Sequence, residues 1–409
     1  MKKVLLAAYA CSPVRGSEEN NGWCWATGLA QRGYAVWCLT NMTDKKEIEE
    51  RHMELKMPNL HFVFVPLPFG LDEKWLDPSA KTIYLHYWLW KKRTANIAKK
   101  LHEREGFDVA HHVTYGSFQQ GSCLYKLTDC KLIFGPVGGG QMALPIFRDY
   151  FGNSWRTEKM RRCVSDYLLR YSKNLKRLLT RADSILTVNR ETFDMLGQMG
   201  KDFHQKGHMV MDAALPNEYR NMSYVPKPPK KTLRILWLGR LLPRKGLNLT
   251  FHALSYLKND LDYQLTVVGG GEQERFVDQW MDKYGLDRSK IHMVGQVPFA
   301  KVESHYKNSD VMVFCSLRDT SGNQVIEAMA HGLPVIVLNI SGMVSMVPEN
   351  CGIKVNPTTK EGTAQDIAKA IERMCTDTAY RMEAGKNAYQ YAMGFTWADK
   401  IDHVISKFY

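Results

Sequence analysis

Short apolar runs alternate with longer helix-like stretches along most of the chain, and this alternation limits the fold more than any other feature of the sequence. Strands separated by helices are typical of parallel sheets that helices cover. We therefore predict an α/β fold. The predicted strands are Lys3–Ala8, Ala35–Thr40, His61–Pro66, Lys131–Phe134, Ser184–Val188, Leu233–Leu238, Gln264–Val268, His292–Val294, Val311–Phe314 and Pro334–Leu338.

The length of the chain predicts two domains, because 409 residues exceed what one ordinary hydrophobic core supports. The segment LPNEYRNMSYVPKPPKKT, residues 215–232, holds four prolines and few apolar residues, and a strand-like run follows it directly. We predict a linker there, after a first domain formed by residues 1–214. Two α/β domains would face each other across a cleft, where folds of this kind bind ligands.

Composition argues against several classes of protein. The nine cysteines include no C-x-x-C pair, which disfavours a zinc site or a disulfide framework and fits a reducing cytosol. No apolar run approaches the roughly 20 residues that a membrane-spanning helix needs. The start, MKKVLLAAYAC, is interpreted as a first strand rather than a signal peptide. These features predict a cytoplasmic protein without a bound metal.

The net charge is +13, and basic residues are mixed with aromatic ones in YLHYWLWKKRTANIAKK and in SWRTEKMRRCVSDYLLRYSKNLKRLLTR. A basic, amphipathic, aromatic face suits an anionic membrane surface, so peripheral association with the inner face of the plasma membrane is one interpretation. A solvated helix face explains the pattern equally well. No recognition motif accompanies the charge, so nucleic acid is not a predicted partner.

The run LRILWLGRLLPRKGLN is interpreted as a strand that ends at Gly239, followed by a basic loop and a helix. Arg240 and Lys245 in this loop favour an anion site, because cations and backbone N–H groups can converge there on one phosphate. A solvated loop is the alternative. QLTVVGGGEQERF ends a strand on three glycines, 269–271, which fit a tight turn as well as a ligand contact but lack the G-x-G-x-x-G spacing of a dinucleotide site.

The stretch SLRDTSGNQVIEAMAHG places two carboxylates, Asp319 and Glu327, eight residues apart. Gly322 and Asn323 are predicted to begin a helix over 323–331, whose first N–H groups would bind phosphate oxygens. Asp319 then precedes the helix and Glu327 lies about one turn inside it, so the two would touch opposite sides of an anion at the helix start. A helix cap with a solvent-facing glutamate is the alternative.

Several motifs follow one another in an order that resembles the family 4 retaining glycosyltransferases of the GT-B fold. These motifs are LGRLLPRKG, VVGGGEQERF, VGQV, SLRDTSGNQVIEAMAHGLPVIV and CGIKV, and they extend from about Leu233 to Val355. The resemblance implies two Rossmann-like parallel-sheet domains, the second formed by residues 233–394. It also implies that residues 395–409 return as a helix to the first, acceptor-binding domain.

The resemblance implies a nucleotide-sugar site in the second domain. Arg240 and Lys245 would grip the donor diphosphate, Glu327 would bind the ribose, and Asp319 would hold the donor sugar. The other implied donor residues are Gly239, Val297, Gly322, Asn323 and Gln324. Two positions depart from the family: Asp319 stands where the E-x7-E motif has glutamate, and Ser345 stands where a glutamate is common. The identity of the donor therefore stays open.

In the first domain, ACSP…GSE…GW, HHVTYGS and GPVGGG are similar to one bacterial branch of the family. The loop with Gly16 is implied to approach the donor phosphate and the acceptor, and His111, at a strand end, is implied to face the donor sugar. The implied residues on the acceptor or sugar side are Ser17, His112, Gly138, Gly139 and Gly140. His112 is a close alternative to His111, and a tight turn is the alternative role of the three glycines.

The implied reaction moves a sugar, with retention, from a nucleotide-diphosphate sugar to a hydroxyl of a glycan or lipid-linked saccharide, in cell-surface polysaccharide synthesis. Arg240, Lys245 and the helix start would stabilise the departing phosphate without a metal or cofactor. A GT-B sugar-nucleotide epimerase or phosphorylase is an alternative. A non-catalytic, membrane-bound sugar-nucleotide-binding protein is another, and Asp319 in place of glutamate is the one feature that favours it.

Overall fold

The computed structural model of the protein describes residues 1–16, 18–72, 82–200 and 202–409. The chain forms two compact units, each assembled from segments that are distant in sequence. Unit 1 comprises Met1–Gly140, Cys163–Asp212 and Trp397–Tyr409, and unit 2 comprises Gln141–Arg162 and Ala213–Thr396.

The helices of the described residues, in chain order, are α1 (Glu18–Gln31), α2 (Lys45–Leu55), α3 (Ile83–Glu105), α4 (Arg148–Phe151), α5 (Trp155–Tyr171), α6 (Lys173–Arg181), α7 (Arg190–Gly197), α8 (Phe203–Lys206), α9 (Leu247–Leu254), α10 (Val277–Lys283), α11 (Phe299–Lys307), α12 (Asn323–Ala330), α13 (Met343–Met346), α14 (Lys360–Thr376), α15 (Thr378–Ala392) and α16 (Trp397–Phe408). The division between the units falls within α5.

Unit 1 is built on a seven-stranded parallel sheet with the order β3-β2-β1-β4-β5-β6-β7. Its strands are β1 (Lys3–Ala8), β2 (Ala35–Thr40), β3 (Leu60–Phe64), β4 (Val109–Thr114), β5 (Lys131–Val137), β6 (Ser184–Thr187) and β7 (Gly207–Met209). The central strands are buried on both faces, as parallel sheets require. Val4 of β1, for example, is fully buried between Val36 and Val109.

The last helix, α16, completes unit 1 by packing against α1. A Cβ added at Gly28 of α1 would lie 2.2 Å from the Cδ1 atom of Ile401, so the glycine lets this side chain of α16 approach α1 closely. Arg32 Nε donates to Asp402 Oδ1 at 2.5 Å, and this ion pair joins the same two helices at the surface.

Unit 2 contains a six-stranded parallel sheet with the order β10-β9-β8-β11-β12-β13. Its strands are β8 (Leu233–Leu238), β9 (Tyr263–Val268), β10 (Ile291–Gly295), β11 (Val311–Phe314), β12 (Val335–Leu338) and β13 (Gly352–Val355). Ile235, Val313 and Ile336 from three neighbouring strands form the core with Leu249 of α9 and Ile371 of α14. The predicted α/β class with parallel sheets is confirmed in both units.

Three strands are absent from the list of predicted strands, although the prediction that His111 and His112 lie at a strand end implies one of them, β4. β7 and β13 are short edge strands that begin with glycine, so their sequences carry a weak strand signal. β4 is a central strand, but His111 and His112 stand in its middle and interrupt the apolar pattern. The prediction that these histidines lie at a strand end is therefore wrong, since the strand continues to Thr114.

The segment Gln141–Arg162 packs with unit 2, although the sequence interpretation assigns residues 1–214 to the first domain. Its aromatic side chains in the core of unit 2 are Phe147, Tyr150 and Phe151. The Tyr150 hydroxyl lies 2.7 Å from Nδ1 of His252 in α9, which ties the segment to this core. The predicted linker 215–232 also lies in unit 2.

The length and hydropathy of the helices decide whether any of them could span a membrane. Within the ranges that the structure describes, no helix is long and apolar enough to cross a bilayer.

Candidate functional site

The switch point of the second sheet lies between the adjacent strands β8 and β11, because the strand order runs outward from this pair in opposite directions. Open α/β sheets bind ligands beyond the carboxyl ends of strands at such a point. The loops that follow the two strands, 239–246 and 315–322, contain five of the predicted donor residues: Gly239, Arg240, Lys245, Asp319 and Gly322. The fold therefore gathers residues that are about 75 positions apart in sequence.

A buried ion cluster joins these two loops. Lys245 Nζ donates to Oδ2 of Asp319, and a guanidinium nitrogen of Arg244 lies 3.6 Å from Oδ1 of the same carboxylate. Ser316 Oγ lies 3.1 Å from Oδ2. The side chains of Lys245 and Asp319 are 9% and 10% exposed, whereas that of Arg244 is 24% exposed. Sequence reasoning placed Lys245 and Asp319 at the donor but missed both their direct pairing and the part of Arg244.

The opposite charges of this cluster stabilise each other. Burial acts to raise the pKa of Asp319, but the positive charges of Lys245 and Arg244 outweigh burial, so the pKa of this carboxyl is lowered. Burial lowers the pKa of Lys245, against the opposing effect of Asp319. With two cations and one anion, the cluster holds one positive charge in excess, which suits an anionic ligand.

Segment 141–162 contacts the loop that carries Asp319. The guanidinium of Arg318 meets the carboxylate of Glu158 with an Nε–Oε2 distance of 2.8 Å and an Nη2–Oε1 hydrogen bond of 3.1 Å. Gln141 Nε2 donates to Thr320 Oγ1 at 2.8 Å. Sequence reasoning missed these contacts, because the paired residues are 179 and 160 positions apart and nothing in the sequence relates them.

The start of α12 adds backbone donors beside the ion cluster. Gly322 is the buried N-cap residue, and the first N–H groups of the helix, beginning at Asn323, have no acceptor within the helix. A Cβ on Gly239 would lie 3.8 Å from Nε2 of Gln324, so these two predicted donor residues are neighbours. The predicted helix 323–331 forms with its start unchanged and ends one residue earlier.

Glu327 lies on α12 and is held by an aromatic neighbour. The hydroxyl of Tyr306 donates to Oε2 of Glu327 at 2.7 Å, and the Tyr306 ring stacks on His331 with centroids 5.3 Å apart. Burial raises the pKa of Glu327, against the opposing effect of the Tyr306 hydrogen bond. The glutamate is therefore a positioned, partly desolvated group rather than the solvent-facing residue of the alternative interpretation.

The remaining predicted donor residues are less closely connected to the cluster. Arg240 is exposed in the loop after β8, and Val297 is half-buried after β10, two strands away from β8. The glycine turn 269–271 packs against protein: Gly269 has φ +133°, and a Cβ there would lie 1.9 Å from the carbonyl oxygen of Gly239. That contact supports the tight-turn interpretation. Ser345 is exposed, with its hydroxyl donating to the Gly342 carbonyl at 3.3 Å.

In unit 1, His111 has both ring nitrogens engaged in the core. Nε2 lies 2.7 Å from the carbonyl oxygen of Gly135, and Nδ1 lies 2.7 Å from the hydroxyl of Tyr409. A carbonyl only accepts, so Nε2 carries the proton and Nδ1 accepts from the tyrosine. Burial lowers the pKa of His111 to about 3. Both ring nitrogens of His111 are thus engaged within the protein, and its predicted contact with the donor sugar stays a prediction.

His112 is also buried, but its ring is less fully engaged. Nε2 lies 3.4 Å from the carbonyl oxygen of Tyr115, and Nδ1 has no hydrogen-bond partner among the described residues. Burial lowers the pKa of His112 to about 4, so the imidazole is neutral at physiological pH. Of the two histidines, His112 alone keeps a ring nitrogen that could accept a further hydrogen bond.

The three glycines after β5 pack against their own unit. A Cβ on Gly139 would lie 2.2 Å from the side-chain oxygen of Gln119, and a Cβ on Gly140 would lie 2.5 Å from the Cα atom of Thr192. Gly138 donates its N–H to the carbonyl oxygen of Gly116 at 2.8 Å. The close approach that these glycines permit is therefore to protein, as in the tight-turn alternative. Gly16 is exposed in the loop after β1, and Ser17 lies outside the described residues.

With the site described, the chain can be compared with known proteins. Residues 220–391 match the Glycosyl transferases group 1 family, and this stretch lies within unit 2. Unit 2 therefore carries a group 1 glycosyltransferase domain, which confirms the predicted resemblance at this level. An uncharacterized glycosyltransferase of Methanocaldococcus jannaschii is 28% identical over 155 residues, 38% of either chain. The chain spans about two-fifths of the length of the first curated relatives it matches.

Two solved structures share the fold over nearly the whole chain. Sucrose-phosphate synthase from Thermosynechococcus elongatus aligns with a TM-score of 0.69 and 19% identity, covering 99% of this chain and 98% of that one. The Anabaena protein HepE, solved in complex with UDP and glucose, aligns with a TM-score of 0.61 and 15% identity, covering 99% of each chain. The fold is thus GT-B, with two Rossmann-like units.

Proposed function

We propose that this protein is a retaining glycosyltransferase that moves a sugar from a nucleotide-diphosphate sugar to a hydroxyl of a glycan or lipid-linked saccharide in cell-surface polysaccharide synthesis. One observation carries the proposal: the buried cluster of Lys245, Asp319 and Arg244 sits at the switch point of the second sheet, directly before the helix that bears Glu327. Binding of UDP by a protein of the same fold is consistent with a nucleoside diphosphate there.

The proposed site divides the donor into three parts. The excess positive charge of the ion cluster, with exposed Arg240 and the first N–H groups of α12, meets the diphosphate. Glu327, held by Tyr306, accepts hydrogen bonds from the ribose. Asp319, fixed by Lys245, accepts a hydrogen bond from the donor sugar. Gly239, Gln324, Gly322, Asn323 and the backbone of Val297 complete the proposed donor contacts.

The proposed chemistry requires charge stabilisation more than a protein nucleophile. As the glycosidic bond to the β-phosphate breaks, negative charge grows on the phosphate, and preorganised cations and amides stabilise that charge without reorganising. The acceptor hydroxyl attacks the face that the phosphate leaves and passes its proton to the departing phosphate, so the configuration at the sugar is retained. Neither a metal nor a cofactor is part of this proposal.

Separate roles for the two carboxylates give the sharpest test of the proposed site. Calorimetry on Glu327→Ala should show weaker binding of both the nucleoside diphosphate and the intact nucleotide sugar, because both carry the ribose. Asp319→Ala, with Asp319→Asn as the variant that preserves shape, should weaken the intact donor by about 1–3 kcal/mol and leave the nucleoside diphosphate nearly unchanged. The donor itself is found first, by thermal shift of the wild-type protein with a panel of UDP- and GDP-sugars.

Two results would contradict this assignment. If neither UDP, GDP nor any nucleotide sugar raises the melting temperature, the site does not bind a nucleotide donor. If Asp319→Asn loses the nucleoside diphosphate as badly as Glu327→Ala, the carboxylates do not divide the donor between them.

A membrane-facing role belongs to the same proposal. Helix α5 exposes four apolar side chains at helical spacing, and these are Met160, Val164, Tyr167 and Tyr171, between 46% and 62% exposed. The rings of Tyr167 and Tyr171 lie 5.1 Å apart, and the helix and its continuation α6 are rich in lysine and arginine. We propose that this face binds anionic lipid at the inner surface of the plasma membrane, where the acceptor resides.

Vesicle sedimentation tests this face. The protein should sediment with vesicles that contain phosphatidylglycerol at low salt and be released at high salt, because surface charge attraction is screened. Val164→Glu combined with Tyr167→Glu should abolish sedimentation, whereas Asp149→Asn at an exposed pair should not. Failure to bind anionic vesicles at any salt concentration would leave α5 as a solvated helix.

A further inference from the structure

The loop 315–320, which carries Asp319, is held from several sides. Its backbone is fixed where Leu317 N–H donates to the carbonyl oxygen of Arg244 at 2.8 Å. Gly342 packs so closely on the loop that a Cβ there would lie 2.0 Å from the carbonyl oxygen of Thr320. These contacts come from the group 1 domain itself, and they fix the course of the chain but not the direction of its side chains.

The side chains of the consecutive residues Arg318 and Asp319 are held in their directions by two different partners. Arg318 meets Glu158 of α5, while Asp319 meets Lys245 of the loop after β8. The side chains of Arg318 and Glu158 are 10% and 8% exposed, so this pair is as buried as the Lys245–Asp319 pair beside it. Rotation of the chain about Arg318 or Asp319 would break one buried ion pair or the other.

Stability alone is a weak explanation for the Arg318–Glu158 pair. A buried ion pair can often be replaced by packed apolar residues without loss of stability, because desolvation offsets most of the attraction. Burial lowers the pKa of Arg318 to about 10, and the nearby positive charge of Arg161 acts in the same direction. Burial of a guanidinium in such surroundings costs free energy, but the rigid, planar group gives its contact with Glu158 a defined direction.

We propose that Glu158 is a positioning residue for recognition of the donor sugar: it orients Arg318 and thereby holds Asp319 at Lys245. The inference rests on the proposed function, in which Asp319 contacts the sugar and Glu327 the ribose. Gln141 supports the same loop through Thr320 at 2.8 Å. Segment 141–162, which lies outside the matched family region 220–391, thus supplies side chains that set sugar specificity.

The proposal predicts a separation between two ligands. Glu158→Gln keeps the size of the side chain and removes its charge, so Arg318 loses its partner and Asp319 its fixed direction. The intact nucleotide sugar should bind about tenfold more weakly, while the nucleoside diphosphate should bind within about twofold of wild type. Asp149→Asn is the matched control: Asp149 lies in the same segment and pairs with Lys360 at 2.8 Å, but its side chain is 68% exposed.

A double-mutant cycle shows whether Glu158 acts through Asp319. In the Asp319→Asn background, Glu158→Gln should have no further effect on binding of the intact donor. Additive losses, or equal loss of the nucleoside diphosphate, would overturn the proposal. If Glu158→Gln does not fold, Gln141→Ala gives the same test with an expected loss of about threefold, and full donor affinity in Gln141→Ala would overturn the proposal.

A measurement without any donor separates this inference from the proposed function. Hydrogen exchange of peptides that span residues 315–322 should be at least about tenfold faster in Glu158→Gln or Gln141→Ala and unchanged in Asp149→Asn. Unchanged exchange in all three variants overturns the positioning role even if the wild-type protein binds a nucleotide sugar. Faster exchange in a protein that binds no nucleotide would support the positioning of the loop and refute the donor site.

Discussion

The two sheets have their switch points in equivalent places, between β1 and β4 in unit 1 and between β8 and β11 in unit 2, but the chemistry beside them differs. In unit 2 the loops beyond the strands hold a buried lysine and aspartate in contact with a half-buried arginine. In unit 1 the central strand β4 holds two neutral histidines, and the nearby glycines pack on protein. The same topology thus supports a buried ion cluster in one unit and, in the other, neutral histidines beside tightly packed glycines.

The first test of this difference between the units is to remove the buried lysine of unit 2. Lys245→Ala leaves Asp319 buried without its closest partner and should lower the free energy of unfolding by about 3–5 kcal/mol. Turnover of the nucleotide sugar should also be lost. Lys360→Ala, at the surface pair with Asp149, should cost no more than about 1 kcal/mol. Chemical denaturation and a donor-hydrolysis assay measure the two effects.

A paired substitution sharpens the same experiment. Lys245→Met combined with Asp319→Leu removes both charges, so stability should return while turnover stays lost. Recovery of turnover in the paired variant would show that the ion cluster has no part in the reaction.

The second prediction concerns Glu327 of unit 2, the proposed ribose contact. Tyr306→Phe removes the hydroxyl that donates to Glu327, so binding of the nucleoside diphosphate should weaken by about 2 kcal/mol, as measured by calorimetry. Without that hydrogen bond the pKa of Glu327 rises further, and affinity should fall more steeply as the pH is lowered. Tyr284→Phe, which removes a 2.9 Å hydrogen bond to Asn248, is the control. Equal losses in both variants would contradict a specific role for Tyr306.

The third prediction concerns the neutral histidines of unit 1. Burial lowers the pKa of His112 to about 4, whereas an unfolded histidine has a pKa near 6.5. The unfolded chain therefore binds the proton more readily, and the stability that neutral His112 contributes is present above pH 6.5 and lost as the pH falls toward 4. At pH 5 the loss should be about 2 kcal/mol. His112→Leu should remove this loss, seen as a smaller shift of the urea midpoint between pH 7.5 and pH 5.

An unchanged pH dependence in His112→Leu would contradict this account. His111, with a pKa lowered to about 3, should still make unit 1 less stable in acid in that variant, so the acid sensitivity should be reduced rather than abolished.

Sequence reasoning succeeded where local signals are strong. The strands β1, β2, β8 and β11 have the predicted bounds, because their runs are apolar and bounded by clear breaks. The helix start at Gly322 and the family motifs around Asp319 also carry information within a few residues. The fold class of both units and the group 1 domain follow from such signals.

The contacts between distant segments were beyond that reasoning. The pairing of Lys245 with Asp319, and of Glu158 with Arg318, depends on which loops the sheet order brings together. His111 shows the opposite problem: the family resemblance implied a ligand contact, whereas the strand buries it against Gly135 and Tyr409. A polar residue in a strand looks the same in the sequence whether it binds a ligand or forms hydrogen bonds inside the core.

The path of the chain through unit 2 has a consequence for anyone who would transplant this unit into another enzyme. A fragment cut at the family boundaries, 220–391, omits Phe147, Tyr150 and Phe151, which are at most 4% exposed in the intact protein, and would leave their apolar neighbours in water. A chimaera that keeps a working donor unit has to carry residues 141–162 along with 213–396. Unit 2 therefore consists of two segments that are separate in sequence. Recombination at the predicted linker, 215–232, would place these segments in different proteins.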